Sequence, residues 1–289
     1  MTTPHTDPES HTRNDAGQAF TITASDGAPL RATRFGNPNA VLTVVYLHAP
    51  LSRGTYFSSL ISELDQSYGG PHIAQLTYDQ RSPGTTATTR TSRAEMAQLV
   101  DDVTAVLAHI NGRVVLVVHS LAAILLQEWL YHGRHDEPLV HAIVAIAPVT
   151  ELPDHTRALT ANPTAAADQA TNQLIVDLVT ALGVNDHIQG EAVLELARQT
   201  LLPYRRCGAD VAVVEDLLRA TPTWVVVGRA DRIAGFSRVE EFAATVWAEL
   251  IDIEDAAHDL VHTHPSAATE VVLDALFVVD DPSLYGDDT

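Results

Sequence analysis

The chain of 289 residues has no lysine, so arginine supplies all 17 of its basic side chains. Asp and Glu number 37, which gives a formal net charge of −20. A protein this negative repels phosphate backbones and anionic headgroups, so we expect neither nucleic acid nor an anionic membrane surface as a partner. The acidity is interpreted as a source of solubility, and it says little about a substrate.

Cysteine is nearly absent as well, because Cys207 is the sole example. One cysteine excludes an internal disulfide, and a small buried apolar role is the favoured interpretation of this one. No run approaches the roughly 18 apolar residues that a membrane span needs, and residues 1–16 lack the apolar stretch of a signal peptide. We therefore expect a cytoplasmic protein with disordered residues at 1–16 and an acidic tail at 281–289. A homodimer is compatible with the sequence.

Apolar runs typical of strands alternate along the chain with helical patterns. Residues 20–24 and 30–35 alternate in polarity around a Ser-Asp-Gly turn, which predicts an antiparallel hairpin. Further strands are predicted at 41–47, 73–78, 114–118 and 141–147, and two more begin at residues 225 and 251, ahead of Asp231 and His258. Helical patterns lie between them, among them 54–64, 95–110 and 121–132. This order predicts an α/β fold with a mainly parallel sheet and helices on both faces.

Residues 149–220 interrupt the alternation. They are rich in alanine, and Leu174, Leu178 and Leu182 form one apolar helical face. A helical insertion after a core strand predicts a cap over a pocket, and packing helices without a gating role are the alternative. The predicted core is then residues 17–148 together with residues 221–280.

Ser120 ends an apolar strand pattern, and a small-residue helix pattern begins directly after it. A sharp strand-to-helix turn of this kind, the nucleophile elbow, presents a serine hydroxyl. Asp231 and His258 follow two later strand patterns, in the chain order Ser, Asp, His. Since a serine hydroxyl needs a base, and the base needs a carboxylate to orient it, we predict Ser120 as nucleophile, His258 as base and Asp231 as acid.

Two other histidines compete with His258. His262 and His264 lie close to it in sequence, and three histidines in seven positions could bind a metal. We disfavour a metal, because no cysteine or carboxylate stands at a matching spacing on another strand end. His258 is preferred as the base because it is the first histidine after the strand. The remaining histidines are predicted to be solvated, for example His109, His132 and His135.

Several segments resemble the α/β-hydrolases, and within them the monoacylglycerol-lipase-like or lysophospholipase-like group. Residues 48–56 resemble that group's His-Gly loop, and residues 79–84 resemble its D-x-R-G-x-G loop. Residues 228–231 and 257–265 resemble its acid and histidine segments. The resemblance covers about residues 17–280. It implies the α/β-hydrolase fold with an eight-stranded sheet, the three roles given above, a helical cap near residues 149–220 and no cofactor.

The chain departs from this family in the loop that stabilises the oxyanion. The resemblance implies two backbone N–H donors, one from Leu121 and one from Pro50. Proline has no N–H, and loss of one donor slows acyl transfer by roughly 100- to 1000-fold. Either Ala49 or Leu51 supplies the missing amide, or the oxyanion hole is incomplete. Larger residues also replace glycine-like positions at the elbow, namely Val118, Ala122 and Ala123.

Three functions are therefore weighed. The first is a serine hydrolase that cleaves a carboxylic ester or thioester of a mainly apolar small molecule or lipid through an acyl-enzyme. The second is a lyase, cyclase or carbon–carbon hydrolase of a biosynthetic or catabolic pathway, because such chemistry can tolerate a weakened oxyanion hole. The third is a non-catalytic, ligand-binding homologue, which the intact Ser, Asp and His disfavour. The fold by itself does not decide among the three.

Overall fold

A computed structural model describes residues 17–68, 72–81, 96–132, 140–152, 200–201, 203–206 and 209–281 of the chain. Eight strands form one sheet: β1 (Gln18–Thr23), β2 (Pro29–Gly36), β3 (Leu42–Leu47), β4 (Ile73–Tyr78), β5 (Arg113–His119), β6 (Ala142–Ile146), β7 (Thr223–Gly228) and β8 (Glu249–Ile253). Their order across the sheet is β1-β2-β4-β3-β5-β6-β7-β8. The predicted eight-stranded α/β fold is confirmed.

The sheet is parallel apart from its first strands. β1 pairs with β2, and β2 with β4, in antiparallel fashion, which confirms the predicted hairpin. All pairs from β4 through β3, β5, β6 and β7 to β8 are parallel. The residues of β3, β4 and β6 are buried throughout, as expected of continuous apolar strands covered on both faces.

Seven helices, numbered over the described residues, accompany these strands. They are α1 (Ser58–Tyr68), α2 (Met96–Leu107), α3 (Ala122–His132), α4 (Val211–Arg219), α5 (Phe236–Thr245), α6 (Leu260–Thr263) and α7 (Pro265–Asp280). Short 3-10 helices span Gly54–Phe57 and Pro203–Arg206. In α2, Leu99, Val103 and Val106 are buried, as their helical spacing predicted.

The helices cover both faces of the sheet. α7 packs against α1 and against β5, β6 and β7, while α2 packs against α3 and α5 against β7. Tyr46, Phe57 and Trp129 are among the largest side chains buried in the core. Burial of each large apolar side chain contributes roughly 1.5–3 kcal/mol to folding, so this core holds the strand ends in fixed positions.

Part of the sequence prediction falls on residues that the structure does not describe. The predicted apolar face at Leu174, Leu178 and Leu182 lies outside the described residues, as do residues 1–16 and 282–289. The last part of the predicted cap, residues 211–219, is described as α4, which contacts α3. The cap therefore stays a prediction. None of the helices in the described part of the chain is long and apolar enough to cross a membrane.

Candidate active site

The carboxyl ends of the parallel strands bring three distant residues together. Ser120 follows β5 directly, Asp231 comes shortly after β7, and His258 lies in the loop after β8. His258 Nε2 is 2.8 Å from Ser120 Oγ, and His258 Nδ1 is 2.9 Å from Asp231 Oδ2. These distances are hydrogen bonds, so serine, histidine and aspartate form one continuous chain.

Ser120 stands on a sharp turn between β5 and α3. Its φ is +55°, in the left-handed region that a residue with a side chain rarely adopts. The turn is held by hydrogen bonds of its own peptide groups: Ser120 N–H donates to Ile146 O at 3.0 Å, and Ser120 O accepts from Ala123 N–H and Val149 N–H, each at 3.0 Å. Neighbouring elements thus stabilise the strained conformation that the elbow pattern predicted.

Asp231 is held in one orientation by the backbone that follows it. Its Oδ1 accepts hydrogen bonds from Ile233 N–H at 2.8 Å and from Ala234 N–H at 2.9 Å. Its Oδ2 is left to face His258. Because a carboxylate oxygen accepts, the proton of His258 lies on Nδ1, and the lone pair of Nε2 points at the Ser120 hydroxyl. This is the arrangement that a general base requires.

Gly228 allows the segments of Asp231 and His258 to pack together. A Cβ at Gly228 would overlap the carbonyl oxygen of Ala256, so a side chain at this position would force the two loops apart. The close approach is fixed by a hydrogen bond of 3.0 Å from Ala230 N–H to Ala256 O. Glycine is therefore required here for close backbone approach.

The three side chains are enclosed. Relative exposure is 0% for Ser120, 3% for His258 and 4% for Asp231. Leu121 and Val149, which adjoin Ser120, are buried and apolar. Removal of water strengthens the electrostatic interactions within such a site.

The loop after β3 forms a tight turn at Pro50. Ser52 N–H donates to Ala49 O at 3.1 Å, and Leu51 has a φ of +71°. Proline at the second position and a positive φ at the third define a type II turn. Among the described residues, neither Leu51 N–H nor Leu121 N–H donates a hydrogen bond to another group. Ala49 N–H has no acceptor among these residues either, so all three amides remain as candidate donors to an oxyanion.

His48 connects this turn to the loop after β4. Its Nε2 accepts a hydrogen bond of 2.9 Å from Gln80 N–H, so its proton lies on Nδ1, which donates to Ala49 O at 2.8 Å. Burial lowers the pKa of His48, and the ring is therefore neutral. The histidine is a structural part of the turn.

His119 corrects the prediction that the remaining histidines are solvated. It is fully buried as the last residue of β5, and its ring lies 4.6 Å from that of Tyr56 and 5.1 Å from that of His258. Its Nε2 is 3.2 Å from Tyr56 Oη and 3.3 Å from His258 O. Burial sets the pKa of His119 well below its ordinary value. The sequence did contain a signal for this burial, because His119 stands at the end of an apolar strand pattern, directly before Ser120.

The other predicted histidines differ among themselves. His109 and His132 are exposed, as predicted, whereas His135 lies outside the described residues. His141 is only partly exposed, and burial lowers its pKa. The prediction of solvated histidines was thus wrong for His119 inside β5, and it holds only in part for His141, which directly precedes β6.

The two competitors of His258 make other contacts. His262 Nδ1 is 2.7 Å from Asp259 Oδ1, and His264 Nδ1 is 2.9 Å from Thr263 Oγ1. Both contacts are exposed. In the part of the chain that the structure describes, no group of three or more His, Cys, Asp or Glu side chains is arranged to hold a metal ion.

Known proteins resemble the chain in sequence family and in fold. The model of the "Alpha/beta hydrolase family" matches residues 44–271. No curated protein sequence matches the chain. A hydrolase from Pseudomonas aeruginosa PA01 superposes with a TM-score of 0.64 at 21% identity, over 90% of this chain and 99% of that one. A thermophilic esterase from Thermogutta terrifontis gives 0.62 at 20% identity, over 91% and 99%. An esterase from Rhodococcus sp. ECU1013 gives 0.63 at 17% identity, over 89% and 98%.

Proposed function

The chain belongs to the α/β hydrolase family, and from this premise we propose that it is a serine hydrolase that cleaves a carboxylic ester or thioester. The observation that carries the proposal is the hydrogen-bonded chain from Ser120 through His258 to Asp231. The esterases of similar fold from Thermogutta terrifontis and Rhodococcus sp. ECU1013 are in line with ester chemistry. The buried apolar neighbours Leu121 and Val149 favour a mainly apolar acyl group, from a small molecule or a lipid.

Acylation begins at Ser120. Its Oγ attacks the carbonyl carbon of the ester while His258 Nε2 takes the hydroxyl proton. The tetrahedral intermediate then collapses, the bond to the leaving oxygen or sulfur breaks, and His258 returns the proton to that atom. Water repeats the same steps on the acyl-enzyme and releases the acid. One water is consumed for each ester cleaved, and no cofactor takes part.

Asp231 supports both steps through His258. Its carboxylate faces Nδ1–H of His258, which keeps Nε2 free as the base. It also stabilises the imidazolium cation that forms during each proton transfer. The two backbone donors at Oδ1 prevent the carboxylate from turning away.

The oxyanion of each intermediate is assigned to two backbone amides. Leu121 N–H, which follows the nucleophile, is the first. Leu51 N–H is the second, because the type II turn has no backbone bond for it and Pro50 has no N–H of its own. Ala49 N–H also has no acceptor among the described residues, and Leu51 is preferred because its N–H belongs to the middle peptide group of the turn, which the closing hydrogen bond from Ser52 N–H to Ala49 O does not use. In this assignment Pro50 shapes the loop and donates nothing.

A fluorophosphonate probe tests the nucleophile. Intact-mass spectrometry is expected to show one adduct on the wild type, with the label on Ser120 by peptide mapping. Ser120→Ala should take up no label and should lose activity on p-nitrophenyl esters by about 10⁴-fold or more, with an unchanged circular dichroism spectrum. Ser58→Ala, at an exposed helix start, is the matched control and should be labelled normally. Activity of Ser120→Ala above a few per cent of wild type contradicts the proposal.

Pro50 favours one second candidate. A lyase, cyclase or carbon–carbon hydrolase that develops less charge on oxygen could use the same three side chains with one oxyanion donor missing. A panel of p-nitrophenyl esters with acyl chains of different lengths separates the two candidates. Labelling of Ser120 without turnover of any ester would favour the second, whereas turnover supports the first.

A further inference from the structure

Gln80 holds the loop after β3 by two separate contacts. Its backbone N–H donates to His48 Nε2 at 2.9 Å, and its side-chain Nε2 donates to the backbone oxygen of His48. Both residues are buried. One residue of the loop after β4 thus fixes the imidazole ring and the peptide group of His48 together.

Tyr204 fixes the orientation of the Gln80 amide. Its hydroxyl donates to Gln80 Oε1 at 3.0 Å, and Tyr204 is only 3% exposed. Because the backbone oxygen of His48 can only accept, the amide must present Nε2 to it and Oε1 to Tyr204. The tyrosine lies in the 3-10 helix Pro203–Arg206, far along the chain from Gln80.

These contacts continue into the turn that presents Leu51. His48 Nδ1–H donates to Ala49 O, and this oxygen also accepts the Ser52 N–H that closes the type II turn. We propose that Gln80 and Tyr204 are positioning residues for the oxyanion loop, acting through His48 on the Leu51 amide. The inference rests on the serine hydrolase function proposed above.

The expected effect follows from what an oxyanion donor does. The donor acts on the tetrahedral intermediate and hardly on the bound ester, so a displaced donor lowers kcat and leaves KM nearly unchanged. Displacement should cost less than the roughly 100- to 1000-fold that complete loss of one donor costs. We expect kcat to fall about tenfold for Tyr204→Phe, and further for Gln80→Met, which also releases the His48 oxygen.

The chain contains a matched control pair. Tyr46 Oη donates to Gln75 Oε1 at 2.6 Å, and Gln75 Nε2 donates to Ile61 O at 3.1 Å. Tyr46 and Gln75 are buried on β3 and β4, so this pair repeats the chemistry of Tyr204 and Gln80. No described hydrogen bond of Tyr46 or Gln75 reaches residues 48–52. Tyr46→Phe and Gln75→Met thus report what the loss of a buried tyrosine–glutamine contact does to stability alone.

The experiment measures kcat, KM and thermal stability for the four variants on one p-nitrophenyl ester. It also measures the inhibition constant of a trifluoromethyl ketone with the same acyl group, which forms a tetrahedral adduct on Ser120. We expect this inhibition constant to rise by the same factor as kcat/KM falls in Tyr204→Phe and Gln80→Met. It should change less than about twofold in the controls, even where these lose as much stability. The double variant should be no slower than Gln80→Met, because both residues act through one contact.

The outcomes separate this inference from the function it rests on. A wild type that takes no fluorophosphonate label and cleaves no ester overturns the serine hydrolase assignment, and this inference with it. A labelled, active wild type whose Tyr204→Phe and Gln80→Met variants match the controls overturns this inference alone. The same holds if KM rises while kcat is unchanged. Tyr204→Phe removes a single oxygen atom, so the test remains decisive if Gln80→Met does not fold.

Discussion

Ser120 and Leu51 both adopt left-handed backbone torsions, with φ of +55° and +71°. A side chain in this region costs of order 1–3 kcal/mol, which the surrounding structure must offset. At Ser120 the offset comes from hydrogen bonds to Ile146 of β6, to Ala123 in the first turn of α3 and to Val149 after β6. At Leu51 it comes from the turn that the hydrogen bond from Ser52 N–H to Ala49 O closes. Both strained residues therefore have a proposed role in the reaction. Ser120 supplies the nucleophilic hydroxyl, and Leu51 supplies a backbone N–H for the oxyanion.

Three neighbouring histidines compete for the role of base, and substitution of each one in turn tests the choice of His258. His258→Ala should lower kcat by about 10⁴-fold or more, because it removes the partner of Ser120 Oγ. His262→Ala and His264→Ala should stay within about threefold of wild type, since neither side chain hydrogen-bonds to Ser120 or Asp231 and their own hydrogen bonds are exposed. Steady-state kinetics on one ester decides it. An active His258→Ala beside an inactive His262→Ala or His264→Ala would show the base to be misassigned.

One arginine joins the end of β4 and helix α2 to the β1–β2 hairpin. Arg81, just after β4, binds Asp26 of the β1–β2 turn and Asp102 of α2, both in bidentate fashion. The Asp102 side chain is 1% exposed, whereas that of Asp26 is 40% exposed. Hydrogen bonds from Arg81 lower the pKa of Asp26, while burial raises that of Asp102. The ion pair with Arg81 therefore offsets the cost of burying the charged Asp102 carboxylate.

Loss of this arginine should be costly. Arg81→Ala leaves the Asp102 carboxylate buried without its cation, so we expect the free energy of unfolding to fall by about 3–5 kcal/mol in urea titrations. Asp280→Asn is the control, because its ion pair with Arg113 is exposed and should contribute no more than about 1 kcal/mol. Equal effects of the two substitutions would contradict this account of the network.

The turn after β3 allows a prediction about Pro50. If Leu51 N–H is the second oxyanion donor, Pro50 contributes by fixing the turn, and Pro50→Gly loosens it. We expect kcat to fall, with KM little changed, and the melting temperature to decrease slightly. A rise in kcat would instead mean that the restored N–H at position 50 completes the hole. Stopped-flow measurement of acylation by a p-nitrophenyl ester distinguishes the two outcomes.

For the molecule as a whole, histidines whose pKa folding lowers contribute to the response to acid. Burial lowers the pKa values of His48, His119 and His141 from an ordinary value of 6.5. Below pH 6.5 these histidines bind protons in the unfolded chain but stay neutral in the folded protein. Their contribution to stability is therefore present above pH 6.5 and is lost as the pH falls.

We expect the free energy of unfolding to decrease between pH 7.5 and 5.5. The slope should approach about 1.4 kcal/mol per pH unit for each histidine that stays neutral in the folded state. Urea unfolding at a series of pH values measures it. His119→Gln keeps a donor nitrogen near the Nε2 position but removes one titrating group. It should therefore reduce the slope by about 1.4 kcal/mol per pH unit. Stability that is flat or rises across this window would disprove the account.

The sequence by itself determined the frame of this protein. Continuous apolar runs in the central strands, and helical spacing such as that of Leu99 and Val103, reflect burial along each element. The order of those elements predicted the mainly parallel sheet. A parallel sheet places all its carboxyl ends at one edge, so Ser120, Asp231 and His258 could be identified as neighbours from strand ends alone. Local patterns and element order were sufficient to predict the sheet, because the apolar pattern is repeated over many residues of each element.

Only the tertiary structure decided the details that depend on contacts between distant segments. The burial of His119 under Tyr56, the close approach at Gly228 and the contact of Tyr204 with Gln80 each join residues far apart in the chain. The turn at Pro50 was open to several interpretations, because the sequence fixes φ at proline but not the position of the amide that follows. Such contacts leave no periodic trace in the sequence, since each is made once, by a packing arrangement that the whole fold selects.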